Sequence, residues 1–126
     1  MSTDYREKRK YPFVKSFYFA LRGIWEGVKT ERNIRIHSMM TVVVILLGAY
    51  VSLNWIEWLF VLIAVTGTIA LELVNSALER VVDLVTEEYH PLARQAKDMA
   101  AAAVLLYAVF SVIVGIVIFL PKLIST

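Results

Sequence analysis

The segment Leu71–Val85, LELVNSALERVVDLV, sets polar side chains into an apolar framework. Asn75, Ser76, Glu79 and Asp83 follow Glu72 by 3, 4, 7 and 11 positions, so all five share one stripe of a helix. Leu73, Val74, Ala77, Leu78, Val81 and Val82 fill the intervals. An ionised carboxylate beside hydrocarbon costs kilocalories unless it is paired or bound to a cation. No basic residue interleaves with the stripe, because Arg80 projects from another face. A cation is therefore the expected partner, and hard oxygen ligands favour Mg²⁺. Polar residues can also tie helices together, and Glu79 or Asp83 could simply be solvated. For a lone Asn that reading would be preferred; several aligned carboxylates favour chemistry.

Two further clusters are expected on the same side of the membrane. TERNIRIH, Thr30–His37, carries Glu31, Asn33 and Arg35, and EEYHPLARQAKDM, Glu87–Met99, ends in Lys97 and Asp98. Basic groups near metal-binding carboxylates suit a nucleotide phosphate chain, in which Mg²⁺ bridges phosphate oxygens and Lys or Arg neutralises the remainder. Glu72, held partly out of water, suits a general base. Together these features point to phosphoryl transfer from a nucleotide to a lipid alcohol. The glycine-rich phosphate loop and catalytic loop of soluble kinases are absent.

The elements that must position these groups follow from composition. The chain has 126 residues, enough for one domain, and 59% of them are hydrophobic. It has no Cys, which excludes disulfides and thiolate chemistry. The charged start, MSTDYREKRKYP, lacks the apolar core of a cleavable signal peptide and is read as mature protein. The apolar blocks predict three transmembrane helices over about residues 35–54, 56–78 and 99–120. Met99–Leu120 is uncharged throughout and should be terminated by Pro121 and Lys122. Ser111 and Gly115 form a small-xxx-small pair that could allow close helix contact. About residues 12–30 should form an amphipathic helix in the headgroup plane, with Lys15, Arg22, Glu26 and Lys29 on one face. A core-facing helix of a soluble bundle is the alternative.

Lys and Arg total 13 and fix the orientation. Nine precede the first span, Arg80, Arg94 and Lys97 lie between the second and third, and only Lys122 follows. The N-terminus should be cytoplasmic and the C-terminus extracytoplasmic, with the active site at the cytoplasmic face. Trp55 and Trp58 fit an outer aromatic belt, and Glu57 between them reads as a solvated turn residue. From Trp55, Glu72 lies about 26 Å along the helix, near the inner boundary. His37 and His90 read as ordinary interfacial residues, and Tyr50 and Tyr107 as packing or belt residues.

The stripe resembles the signature of the prokaryotic diacylglycerol kinase family, small integral-membrane lipid kinases of bacteria. That signature, E-x-x-N-[ST]-A-x-E-x-x-x-D, is met by Glu72, Asn75, Ser76, Ala77, Glu79 and Asp83. Glu88-Tyr89-His90, Ala96-Lys97-Asp98-Met99 and the upstream Glu31 extend the resemblance over about Thr30–Met99. It implies Glu72 as proton acceptor and Glu31 and Glu79 as metal ligands. It further implies Glu31, Asn75, Glu79, Asp83, Glu88, His90, Lys97 and Asp98 at the ATP, and Glu72, Asn75 and Arg35 at the lipid. A homotrimer with active sites shared between neighbouring subunits is also implied. TERNIRIH, YHPLARQAKD and IFLPKL look like the undecaprenol kinase branch of Gram-positive bacteria, with diacylglycerol as the alternative substrate. His37 departs from the carboxylate usual in the Gram-negative type. Phe19 departs from a nucleotide-contacting Tyr, so that contact is not carried over.

The expectation is an all-α membrane protein that phosphorylates undecaprenol with ATP and Mg²⁺ in the bacterial plasma membrane, without a nucleic-acid partner. A small ion-coupled transporter is the reading from a different class, but transporters place such carboxylates near the midplane, often on broken helices. A noncatalytic scaffold that binds anionic lipid would leave the stripe without a role.

Overall fold

A computed structural model describes residues 13–125, so the start of the chain and its basic run Arg6–Lys10 lie outside the described residues. The described chain is all-helical, in the order α1 (Phe13–Thr30), α2 (Arg32–Tyr50), α3 (Trp55–Val85) and α4 (Pro91–Ile124). α2, α3 and α4 are each long and apolar enough to cross a membrane. At 1.5 Å per residue α3 and α4 measure about 46 and 51 Å, well beyond a hydrocarbon core of about 30 Å. Both helices therefore carry their polar ends out of the apolar layer without a break.

Most apolar side chains face outward, including Met39, Val43, Leu46, Leu105, Ile113 and Val117. That is the pattern of helices solvated by lipid, where helix contact rests on close packing and polar ties. The small core joins Leu53, Val61 and Ala64 to Val114, Ile118 and Phe119. Beside it, Thr68 Oγ1 lies 3.0 Å from Ser111 Oγ, and Ser111 also donates to the carbonyl of Ala64 at 3.3 Å. The Tyr107 hydroxyl donates to the carbonyl of Ile63 at 2.6 Å, while its ring lies over Gly67, where a Cβ would collide with it. Tyr107 is thus a packing residue, and Gly67 supplies the close approach. A Cβ on Gly115 would meet open space, so the Ser111–Gly115 pair does not make such an approach within the protomer.

Each connection has a local cause. Glu31 breaks the chain between α1 and α2 with an extended conformation, φ −108° and ψ 114°. Gly27 lets α1 sit against both neighbours, because a Cβ there would lie 2.8 Å from Leu73 and 2.9 Å from Ile34. Asn54 and Glu57 form a reciprocal capping box at the start of α3, and Glu57 pairs with Lys122 at 3.1 Å. Glu57, expected to be a solvated turn residue, therefore ties α3 to α4. His90 caps α4 by accepting from the Leu92 N–H, with Pro91 in the first turn.

α4 also corrects the expected stop at Pro121, since it continues to Ile124. Proline removes one donor, but later residues keep theirs, and the Pro121 carbonyl still accepts from Ser125 N at 3.1 Å. At the other end α4 begins eight residues before Met99, because the polar run after His90 is capped and helical.

Candidate active site

The stripe stays on one continuous helix, as its spacing requires. Glu72 and Ser76 are buried, with Glu72 only 4% exposed, whereas Asn75 and Glu79 are half-buried and Asp83 is exposed. Glu72 has one basic side chain within 4 Å among the described residues: His37 of α2, whose Nε2 lies 3.6 Å from Oε1. Asn75 Oδ1 is buried without a hydrogen-bond partner. A buried acceptor normally finds a donor or a cation, so this orphaned oxygen can accept either from a bound group.

No basic residue of α3 itself meets the stripe, and the Lys that reaches it comes from α4. Arg80 leaves the stripe but reaches the α1–α2 corner, donating to Thr30 Oγ1 at 2.6 Å and Glu31 Oε1 at 3.4 Å. Lys97 of α4 donates to Asp83 Oδ1 at 2.7 Å. Lys97 lies outside the uncharged stretch of α4, and this hydrogen bond raises its pKa, with the charges of Asp83 and Glu79 acting in the same direction. Glu79 therefore shares the electrostatic neighbourhood of Lys97. Asp98 faces Arg94 at 3.8 Å.

Glu31 and Arg80 line a cleft of about 440 Å³ between α1 and α3, together with Gly23, Gly27, Ser76 and Ala77. Arg35 is held by the end of α1, where its Nη1 donates to the carbonyls of Val28 and Lys29 at 3.1 and 2.9 Å. Glu88 belongs to the α3–α4 turn, its N–H donating to Thr86 Oγ1 at 3.2 Å. The expected residues thus fall into three groups: Glu72 with His37, Glu31 with Arg80, and the Asp83–Lys97 end of α3 and α4.

Among the described residues no three His, Cys, Asp or Glu side chains converge as a ready-made metal cage. Mg²⁺ at a nucleotide commonly takes one or two carboxylates and draws its remaining ligands from phosphates and water. Of the two carboxylates expected to hold it, Glu31 pairs with Arg80 at 3.4 Å and Glu79 is half-buried, with the buried Asn75 Oδ1 one turn before it.

The sequence matches the family described as prokaryotic diacylglycerol kinase over residues 18–119. The chain belongs to that family. It is 48% identical over 122 residues to the undecaprenol kinase of Bacillus subtilis (strain 168), covering 97% of this chain and 98% of the relative. It is 44% identical over 111 residues to a diacylglycerol kinase of Synechocystis, covering 87% of this chain and 63% of that protein. A diacylglycerol kinase of Escherichia coli (strain K12) is 29% identical over 100 residues, covering 79% and 82%. Membership of the prokaryotic diacylglycerol kinase family makes the chain a membrane-embedded lipid kinase, with ATP as its co-substrate. The family match includes α2 and α3 in full and α4 as far as Phe119, so every site residue lies within it.

Sequence reasoning passed over His37 as an interfacial residue. Its departure from the carboxylate usual at that position was the available signal, but its contact with Glu72 spans 35 positions of sequence and needs the fold.

Proposed function

We propose that this protein transfers the γ-phosphoryl group of ATP to undecaprenol at the cytoplasmic face of the bacterial plasma membrane, with Mg²⁺ as cofactor. The observation that carries the chemistry is Glu72, a carboxylate buried in an apolar setting, one turn from the unpartnered Asn75 oxygen. The near full-length similarity to an undecaprenol kinase supports the choice of substrate.

Glu72 accepts the proton of the lipid hydroxyl as its oxygen bonds to the γ-phosphorus. The bond from that phosphorus to the β–γ bridging oxygen breaks, ADP leaves, and the proton later passes from Glu72 to water. Asn75 holds the reacting groups, and Arg35 approaches the lipid phosphate side. Asp83, Glu88, His90, Lys97 and Asp98 hold the nucleotide, with Lys97 neutralising phosphate charge. Glu31 and Glu79 would hold Mg²⁺, which when bound supplies charge neutralisation along the phosphate chain. The chain's own contribution is positioning and exclusion of water.

The whole chain acts as one domain. α1 lies in the headgroup plane, an arrangement supported by exposed Phe13, Phe17, Leu21 and Trp25 alongside Arg22 and Lys29. The Lys and Arg distribution supports a cytoplasmic N-terminus and an extracytoplasmic C-terminus. A homotrimer accounts for two needs at once: cover for the exposed apolar helix faces, and further walls for a site that one thin protomer leaves open.

Phosphate transfer from labelled ATP, by purified protein in mixed micelles, tests the proposal. Undecaprenol and diacylglycerol are supplied separately, each with and without Mg²⁺. Metal-dependent transfer favouring undecaprenol is expected. A preference for diacylglycerol would overturn the substrate, and no transfer to either lipid by folded protein would overturn the reaction.

A further inference from the structure

Glu72 is buried, yet the basic side chain beside it is neither Lys nor Arg. It is His37, on the second turn of α2, whose Nε2 faces Oε1 of Glu72 at 3.6 Å. The imidazole is itself two-thirds covered, with its side chain 31% exposed. It also lines the apolar groove between α2, α3 and α4, beside Met40, Thr41 and Thr68. In such surroundings a single N–H facing a carboxylate counts for more than it would in water, and its removal leaves that carboxylate alone.

Other charged groups of the fold are engaged elsewhere. On α1, Lys29 pairs with Glu26 at 3.5 Å. Glu31, which precedes α2, pairs with Arg80, and on α4 Lys97 pairs with Asp83 and Arg94 with Asp98. Glu79 is the next carboxylate along the same stripe, about two turns away.

We propose that His37 is a positioning residue for Glu72. Its Nε2–H fixes the orientation of the carboxylate that meets the lipid hydroxyl. The separation is slightly long for a hydrogen bond, and contacts of this kind close when the substrate is seated. His37 touches no reacting atom; it acts through Glu72. The inference rests on the reading of Glu72 as the base.

The test compares wild type with His37→Ala, His37→Gln and Glu72→Gln in mixed micelles. It records kcat, KM for ATP and thermal unfolding. His37→Ala should lower kcat about tenfold or more, less than the roughly 10²–10⁴-fold expected from losing a general base. KM for ATP should stay within about twofold, because the phosphate-side groups are untouched. His37→Gln, which keeps a donor on a side chain of similar length, should recover most of kcat.

The inference is overturned if His37→Ala keeps the wild-type kcat. It is equally overturned if Gln recovers nothing, or if KM for ATP rises as far as kcat falls. Should His37→Ala fail to fold, kcat of the Gln variant decides, because that variant retains the volume: most of the wild-type kcat supports the positioning role, and a loss as deep as that of Glu72→Gln overturns it. Glu72→Gln separates the two levels of the argument. Wild-type turnover in that variant removes the base itself, whereas an inactive Glu72→Gln beside an unaltered His37→Ala removes only the positioning role.

Discussion

Lys97 and Asp83 join the polar ends of α4 and α3 through a 2.7 Å hydrogen bond between Nζ and Oδ1. Both side chains are well exposed, so solvent screens the pair and it contributes little to stability. Its consequence lies in placement, because it holds a cation beside Glu79 at the end of the stripe.

Asp83→Asn should therefore separate binding from stability. KM for ATP is expected to rise severalfold, while the thermal unfolding midpoint stays close to that of the wild type. Steady-state kinetics and a melting curve on the same micellar preparation check it. A large stability loss with unchanged KM would make the pair purely structural.

Glu79→Ala should weaken the metal–nucleotide complex, raising the Mg²⁺ concentration needed for half-maximal transfer by about tenfold, or ~1.4 kcal/mol. A Mg²⁺ titration at fixed ATP measures this directly. An unaltered Mg²⁺ dependence would remove Glu79 from the metal site.

Gly67→Ala should destabilise the α3–α4 contact by about 1–3 kcal/mol, since the added methyl enters the space of the Tyr107 ring. Removing that ring in the double variant Gly67→Ala/Tyr107→Ala should cost less than the sum of the two single changes. Thermal unfolding of the four proteins reads the coupling, and strict additivity would show that Tyr107 moves aside freely.

The chemistry was more legible in the sequence than its surroundings. Glu72, Asn75, Ser76, Glu79 and Asp83 sit within one helix, so periodicity alone places them on one stripe. The three apolar helices were legible because lipid demands long uncharged runs, Met99–Leu120 above all. Their ends were not, because a capped helix continues past the hydrocarbon: α4 starts at Pro91 and passes Pro121. The partners of the carboxylates were hidden for another reason. Arg80 meets Glu31 across 49 positions, and Lys97 meets Asp83 only after the α3–α4 turn has reversed the chain. Gly67 carried no sequence signal, since its role depends on a ring contributed by the facing helix.

The central claim is that Glu72 takes the lipid proton while other groups hold the nucleotide. It is tested most directly by measuring labelled phosphate transfer to undecaprenol and ATP binding for wild type and Glu72→Gln side by side. Turnover should fall by roughly 10²-fold or more, as expected for loss of a general base, with ATP affinity largely kept. Wild-type turnover in Glu72→Gln would contradict the account.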